Sequence, residues 1–430
     1  MKLTRVCAPG RPVLAAVALL TLTLSSHALE PRLWISLEGS AIDAELVKVV
    51  GDTVELKDKD GRIIKVPKAK LSFGDLDYIE EFAPAEKSKS LTPAAPAKVR
   101  IPEPAKEVKL NTKTFKKDAG TFPLLEEGDA FKVMETPHFK VLYTRAFDPG
   151  DVAEQAERLW FDLAFFHSSF AGKWKDRRKV IILADDTQYQ NVGKWYATNL
   201  KNAGRNDYAE KVSATWPKSA ANEVVLPADM ANSQGVFPDA TILRLAAKGP
   251  QGSDNGKGVW TPFRTHVIAG DLLGVQAGGV SGFAKEGQFA IFTGFSFYKE
   301  ISLTGKCATG LVTRDSDNQT GSASGYANVR SWPGELKKRI RGKEVKPSLA
   351  ALYVGDSSTA KPDDIALVYA FSRYLQSTPK RLSAFNKLIE QISISHQVPD
   401  GNGLAKIYGF ENSEALEKDW KAWMDSGDFR

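Results

Sequence analysis

The chain has 430 residues, of which 42% are hydrophobic and 26% are charged, so it can form two or three domains with substantial cores. Its formal net charge of +6 does not indicate a nucleic-acid partner, because the positive charge is concentrated in two segments. Residues 1–12 carry three cations and no acid, and residues 83–120 carry nine Lys or Arg against four Asp or Glu. The remainder is slightly acidic, so the sequence does not indicate a folded basic face.

The first 28 residues have the three parts of a secretory signal peptide. A basic start is followed by an apolar run over residues 13–24, and small residues at Ser26 and Ala28 suit a signal peptidase. We expect cleavage after Ala28 and export to the periplasm or beyond the cell. No later run is long enough for a transmembrane helix. Cys307 is then the only cysteine, and we expect it to be buried and inert rather than reactive.

Residues 83–120 are rich in Pro, Ala and Lys and lack apolar periodicity. This composition predicts a flexible, semi-extended linker. It separates a small unit, residues 30–82, from a large unit, residues 122–430. The basic linker can contact anionic polymers of the cell envelope.

The small unit is predicted to be all-β with a short helical end. Residues 44–49, 53–57 and 62–66 have strand patterns, and the second and third flank a turn that ends at Gly61. Residues 71–82 favour a helix. Five short strands around Trp34 would form a small SH3-like barrel.

Several runs of this unit are similar to the SLA homology domain, a copy of which many exported bacterial proteins carry. They include Arg32-Leu33-Trp34, Asp60-Gly61-Arg62 and the pattern that ends in Asp75 and Tyr78. The resemblance implies an adaptor that binds a protein or peptide, with Trp34 and Tyr78 as candidate contacts. Trp34 has the alternative role of a core residue of the barrel.

The large unit is predicted to be α+β, with strands first and helices afterwards. An amphipathic helix is expected to begin near Asp151, and two helices are expected from about Pro262. The strand predictions fall on four segments, residues 138–143, 179–184, 223–226 and 241–245.

This order of elements, together with the run Thr136-Pro137-His138-Phe139, resembles the peptidase MA-like domain of exported bacterial proteins, a gluzincin family. The resemblance implies a zinc helix with the motif His-Glu-x-x-His and a later Glu in Glu-Gly-x-Ala. Glu286 matches the later Glu. The zinc-helix positions are then His266, Val267 and Gly270.

These replacements remove the chemistry that the resemblance implies. Zinc catalysis needs three protein ligands and a carboxylate that accepts a proton from the bound water. Gly270 and Val267 supply neither, and Asp271 lies roughly 140° around the helix from His266. We therefore expect no zinc, no other cofactor and no catalytic residue. His266 and Glu286 should face each other as a remnant of the site, and a side chain at Gly270 should stabilise the helix.

The sequence thus favours an exported, non-catalytic adaptor protein with a pseudo-metallopeptidase unit and a protein or peptide partner. Two alternatives stay open. One is a metal-dependent peptidase or hydrolase that uses an altered site, and the other is a scaffold protein of the cell envelope.

Overall fold

The computed structural model describes residues 31–37, 40–82, 104–123, 130–167, 170–174, 179–218, 223–226, 240–244, 261–279, 286–307, 326, 328–356 and 359–430. The predicted signal peptide lies outside these residues. Within them, none of the helices combines the length and hydropathy that crossing a membrane requires.

The strands are β1 Arg32–Ile35, β2 Ala41–Val50, β3 Thr53–Asp58, β4 Ile63–Pro67, β5 Lys116–Pro123, β6 Ala130–Glu135, β7 Phe139–Tyr143, β8 Lys179–Ala184, β9 Glu223–Leu226 and β10 Ala240–Arg244. The helices are α1 Phe73–Phe82, α2 Pro104–Glu107, α3 Gly150–Phe166, α4 Asp186–Asn202, α5 Asn206–Thr215, α6 Pro262–Gln276, α7 Gly294–Thr304, α8 Trp332–Arg341, α9 Leu349–Tyr353, α10 Pro362–Leu375, α11 Pro379–Ser395, α12 Gly401–Ile407 and α13 Ser413–Asp425. A π-helical turn, Phe289–Thr293, leads directly into α7.

The small unit contains an antiparallel sheet in the order β1-β2-β3-β4, closed by α1. Trp34 and Leu56 lie in its core. Five strands were predicted, but the described residues form four strands and a single bridge between Ser36 and Leu71. The missing strand is replaced by this bridge, because the chain turns into α1 at Phe73.

The large unit contains a six-stranded sheet in the order β5-β6-β7-β8-β10-β9. Strands β7, β8 and β10 are parallel neighbours, and the remaining pairs are antiparallel. All six residues of β8 are buried, which is typical of a central strand covered on both faces. One cluster, with α3, α6 and α7, packs on one face, and α4 and α5 pack on the other. The α+β prediction is confirmed.

Part of the predicted linker is folded. Residues 83–103 lie outside the described residues, but α2 and β5 occupy the segment that follows. Pro104 and Ala105 are buried, and Arg158 of α3 donates to the backbone carbonyls of Ala105 and Val108. The composition of this segment concealed the few apolar residues that hold it on α3.

The small unit packs against the large one. Side chains alternate along β1, so Trp34 points into the small unit while Ile35 joins the core of the large unit. The ring of Phe73 on α1 lies 6.1 Å from that of Phe166 on α3. Asn386 of α11 donates to the Asp77 carboxylate at 3.0 Å. The two units therefore share an interface rather than being joined only by a linker.

Candidate functional site

Helix α6 carries the positions at which the sequence predicted a degenerate zinc motif, and it packs beside α7. His266 Nδ1 lies 3.0 Å from Glu300 Oε2, and the His266 ring meets Phe297 edge to face at 4.6 Å. One helical turn further along α6, Gly270 lies against Ser296, which precedes Glu300 by one turn of α7. The two helices are therefore antiparallel, and Glu300 is fully buried beside His266.

The predicted pairing of His266 with Glu286 is wrong. In the antiparallel register, Glu286 precedes Glu300 by 14 positions along the chain. It therefore lies before the π-helical turn that leads into α7, outside the part of α7 that packs beside His266. Glu286 instead lines a separate cavity with Tyr353 and Asp400. The fit to the gluzincin arrangement therefore fails at its last ligand as well.

The remaining positions do not fit a zinc ion either. Val267 is 2% exposed and belongs to the hydrophobic core. A Cβ at Gly270 would lie 2.5 Å from Ser296 Oγ, so this glycine allows the close approach of two helices. Over the residues that the structure describes, no group of three or more His, Cys, Asp or Glu is arranged to hold a metal.

Other buried charges of the large unit connect its elements. Lys299 of α7 lies 2.5 Å from Asp162 of α3. Lys179 of β8 lies 3.5 Å from Asp271 of α6. Each pair joins two elements inside the core, so we assign these charges a role in packing. Cys307 is buried, as predicted.

The small unit carries an unusual cluster around Arg32. The guanidinium carbon of Arg32 lies 4.9 Å from the centre of the Trp34 ring and 4.3 Å from that of Tyr78. Its Nη1 atom lies 3.0 Å from the Asp75 carboxylate, which also accepts from the Ile35 amide. Burial raises the pKa of Asp75, and the charge of Arg32 opposes that rise. Cation–π contacts and the ion pair thus fix the orientation of both rings.

Trp34 and Tyr78, the two predicted contacts, differ in exposure. Trp34 is 1% exposed and its Nε1 donates to the Ala44 carbonyl, as its alternative role in the core requires. Tyr78 is half-buried, and its ring lies 4.7 Å from that of Phe82, which is 45% exposed. We call the three residues Arg32, Tyr78 and Phe82 the Tyr78 surface. Trp34 lies beneath them in the core of the small unit.

Helix geometry places this surface on a different face of α1 from the one that meets the large unit. At 100° per residue, Phe73 and Asp77 share one face of α1, and Tyr78 and Phe82 share the opposite face. The first face packs against the large unit. On the second face the Tyr78 ring packs edge to face on Trp34, and Phe82 is exposed. Sequence reasoning did not assign roles to Arg32 and Asp75, although the run of similarity contained both. The sequence feature that could have identified this cluster is an Arg two residues before a Trp in a strand. Side chains two residues apart lie on the same face of a strand.

A groove lies along the seam between the two units. Its volume is about 830 Å³, and α1, α11 and the end of α12 provide its walls. Phe73 and Phe166 contribute apolar surface, and Lys380, Lys387 and Lys406 are exposed at its edges. Sequence analysis did not find this groove, because it exists only through the contact between distant segments.

Comparison with protein families supports the assignment of the small unit. Residues 28–87 match SLA1 homology domain 1, SHD1. The SHD1 match indicates a protein-binding, adaptor-like domain, and it covers only the small unit. Neither the curated proteins nor the solved structures include a match to the chain.

Proposed function

We propose that the chain is an exported, non-catalytic adaptor that binds a protein or peptide through the Tyr78 surface of its SHD1 unit. The observation that carries this proposal is the pair of adjacent rings, half-buried Tyr78 and exposed Phe82, held on a preorganised Arg32–Asp75 base. Aromatic side chains together with Arg are the groups that contribute most to protein–protein interfaces.

The degenerate zinc region supports a non-catalytic role. A metal-dependent peptidase or hydrolase with an altered site would need ligands and a base near His266. Val267, at the position of the base, is part of the core, and Gly270, at the position of the second ligand, packs on Ser296. Export is proposed from the signal-peptide pattern of residues 1–28 alone.

A capture experiment with matched variants tests the proposal. The mature chain is immobilised and incubated with an extract of the cell envelope, and bound proteins are identified by mass spectrometry. We expect a partner that is retained by the wild type and by Ile394→Ala, but lost with Phe82→Ala or Tyr78→Ala. Ile394 is a suitable control because it is 77% exposed and lies on α11 of the large unit. Equal retention by all four proteins would show that the Tyr78 surface is not the binding site.

A further inference from the structure

The groove along the seam between the two units lies between two helix faces. On α1 its lining includes Phe73, Leu76 and Glu80, and on α11 it includes Lys380, Ala384 and Lys387. Residues three, four or seven positions apart share one face of a helix, so each set forms a single stripe along the groove. With a volume of about 830 Å³, this seam groove is within the size range of small-molecule sites.

The floor of the seam groove is apolar. Phe73 and Leu76 come from α1, and Ile407 and Phe410 come from the end of α12, where both are partly buried against the core of the large unit. The helical walls use their backbone donors and acceptors internally. Beyond the end of α12, the amides of Gly409 and Phe410 also donate to carbonyls of that helix. The groove therefore offers apolar surface and few main-chain partners, which favours an alkyl chain over an extended peptide.

One end of the seam groove carries positive charge that the protein does not balance. Lys380 lies in the first turn of α11, and Lys406 lies in the last turn of α12. The Tyr408 hydroxyl donates to the Leu375 carbonyl at 3.1 Å, which holds the end of α12 beside the start of α11. Both lysines are exposed, and neither forms an ion pair or hydrogen bond with the described residues. Two ammonium groups at one end of an apolar groove thus lack a counter-charge.

Other polar groups of the groove are engaged in holding its walls together. Arg381 pairs with Asp419 at 2.6 Å, which joins α11 to α13. Asp77 accepts from Asn386 at 3.0 Å, which joins α1 to α11. These four side chains therefore contribute little to the attraction of a ligand.

The opposite end of the groove contains acids as well as a lysine. Glu80 and Lys387 lie there, just beyond the bonded pair of α1 and α11, and both are exposed. Burial and the charge of Glu390 raise the pKa of Glu81, and the charge of Lys387 opposes this rise. Lys387 is thus surrounded by carboxylates, so an anionic group is attracted to the Lys380 end of the groove.

We infer that the seam groove binds a long-chain carboxylate, a fatty acid, with its carboxylate between Lys380 and Lys406 and its alkyl chain along the apolar floor. Ammonium groups form charge-assisted hydrogen bonds with a carboxylate, and each buried methylene adds apolar contact. An extended segment of a partner protein would leave its main-chain groups without partners here. The inference goes beyond the adaptor function and does not depend on it, since Tyr78 and Phe82 lie on another face of α1.

Methyl NMR titrations of the isotope-labelled mature chain test this binding. Octanoate, decanoate and dodecanoate are added below their aggregation concentrations. We expect saturable shifts at the methyl groups of Leu76 and Ile407, but not at Ile394, which is 77% exposed on α11 and lies outside the groove. Each two-carbon extension should tighten binding roughly tenfold, because two more methylenes leave water. Dodecyltrimethylammonium, which has the same chain and the opposite charge, should bind roughly tenfold more weakly than dodecanoate.

Variants locate the carboxylate. Lys380→Glu and Lys406→Glu should each weaken dodecanoate binding on the order of tenfold, since an attraction is replaced by a repulsion. Lys201→Glu is the matched control and should bind like the wild type, because Lys201 is an exposed lysine of α4 on the other face of the large sheet. The titration does not involve the Tyr78 surface, so its outcome and that of the capture experiment are independent.

Three results would overturn the inference. They are the absence of saturable shifts at Leu76 and Ile407, equal binding of dodecyltrimethylammonium, and unchanged binding in both variants of the groove lysines. Saturation of the same shifts by a peptide of alternating Glu and Leu, without saturation by dodecanoate, would also overturn it and would assign the groove to a protein partner.

Discussion

Gly270 lets α6 and α7 approach closely, and this reverses the expectation that a side chain there would stabilise the helix. A Cβ at this position would lie 2.5 Å from Ser296 Oγ. We predict that Gly270→Ala destabilises the protein by about 1–2 kcal/mol, since overpacking outweighs the gain in helix propensity. Chemical denaturation measures this difference.

Two further variants separate the two effects. Gly334 of α8 has open space around its would-be Cβ, so Gly334→Ala should stabilise by up to about 1 kcal/mol. Removing the obstructing hydroxyl in Gly270→Ala/Ser296→Ala should restore most of the lost stability. If Gly270→Ala were as stabilising as Gly334→Ala, the close approach of the helices would be contradicted.

His167 predicts a pH dependence of stability. It is fully buried, its Nδ1 contacts Asn386 Oδ1, and burial lowers its pKa to about 3. Between about pH 6.5 and 3 the unfolded chain binds a proton at this residue and the native chain does not. The free energy of unfolding therefore falls as the pH decreases through this window, by up to about 1.4 kcal/mol per pH unit. Above this window the contribution of His167 does not change with pH.

Unfolding curves at pH 7.5 and pH 5.0 test this dependence. The wild type should lose more stability between these values than His167→Gln, which keeps a donor near Asn386 but does not titrate. An equal loss in both proteins would show that His167 is not the cause.

At the scale of the elements, local sequence patterns predicted where strands and helices form, but not which of them contact each other. Strand β8 was predicted with its observed bounds, because six consecutive buried residues leave a continuous apolar signal. Helix α6 was predicted from about Pro262, where it begins. The partner of His266 was missed because 34 residues separate it from Glu300, and no spacing rule fixes the register of two helices across a long connection.

The buried pair of Lys299 and Asp162 joins α7 to α3. Both side chains are almost fully buried. Asp162→Leu alone should destabilise by about 3–5 kcal/mol, because it leaves the ammonium group unpaired in the core. The double variant Asp162→Leu/Lys299→Met should lose much less, since no unpaired charge remains. Thermal or urea unfolding compares them, and a double variant no better than the single one would contradict this reason.

At the scale of the whole molecule, the sequence predicted two units but not their contact. Ile35 and Phe73 resemble residues of the small core, and only the fold shows that they face the large unit. Trypsin should cut at Lys87, Lys89, Lys98 or Arg100, which lie outside the described residues, and the unit boundaries remain a prediction. The two fragments should then elute together in size-exclusion chromatography, because the interface persists. Separate elution would contradict the interface.

The central claim is that this chain recognises a protein and does not use zinc. The most direct test is metal analysis of the purified mature protein, combined with an assay of casein hydrolysis with and without a chelator. Gly270 provides no ligand and buried Val267 no base, so we predict far less than one zinc per chain and no chelator-sensitive cleavage. One equivalent of zinc together with chelator-sensitive cleavage would contradict the account.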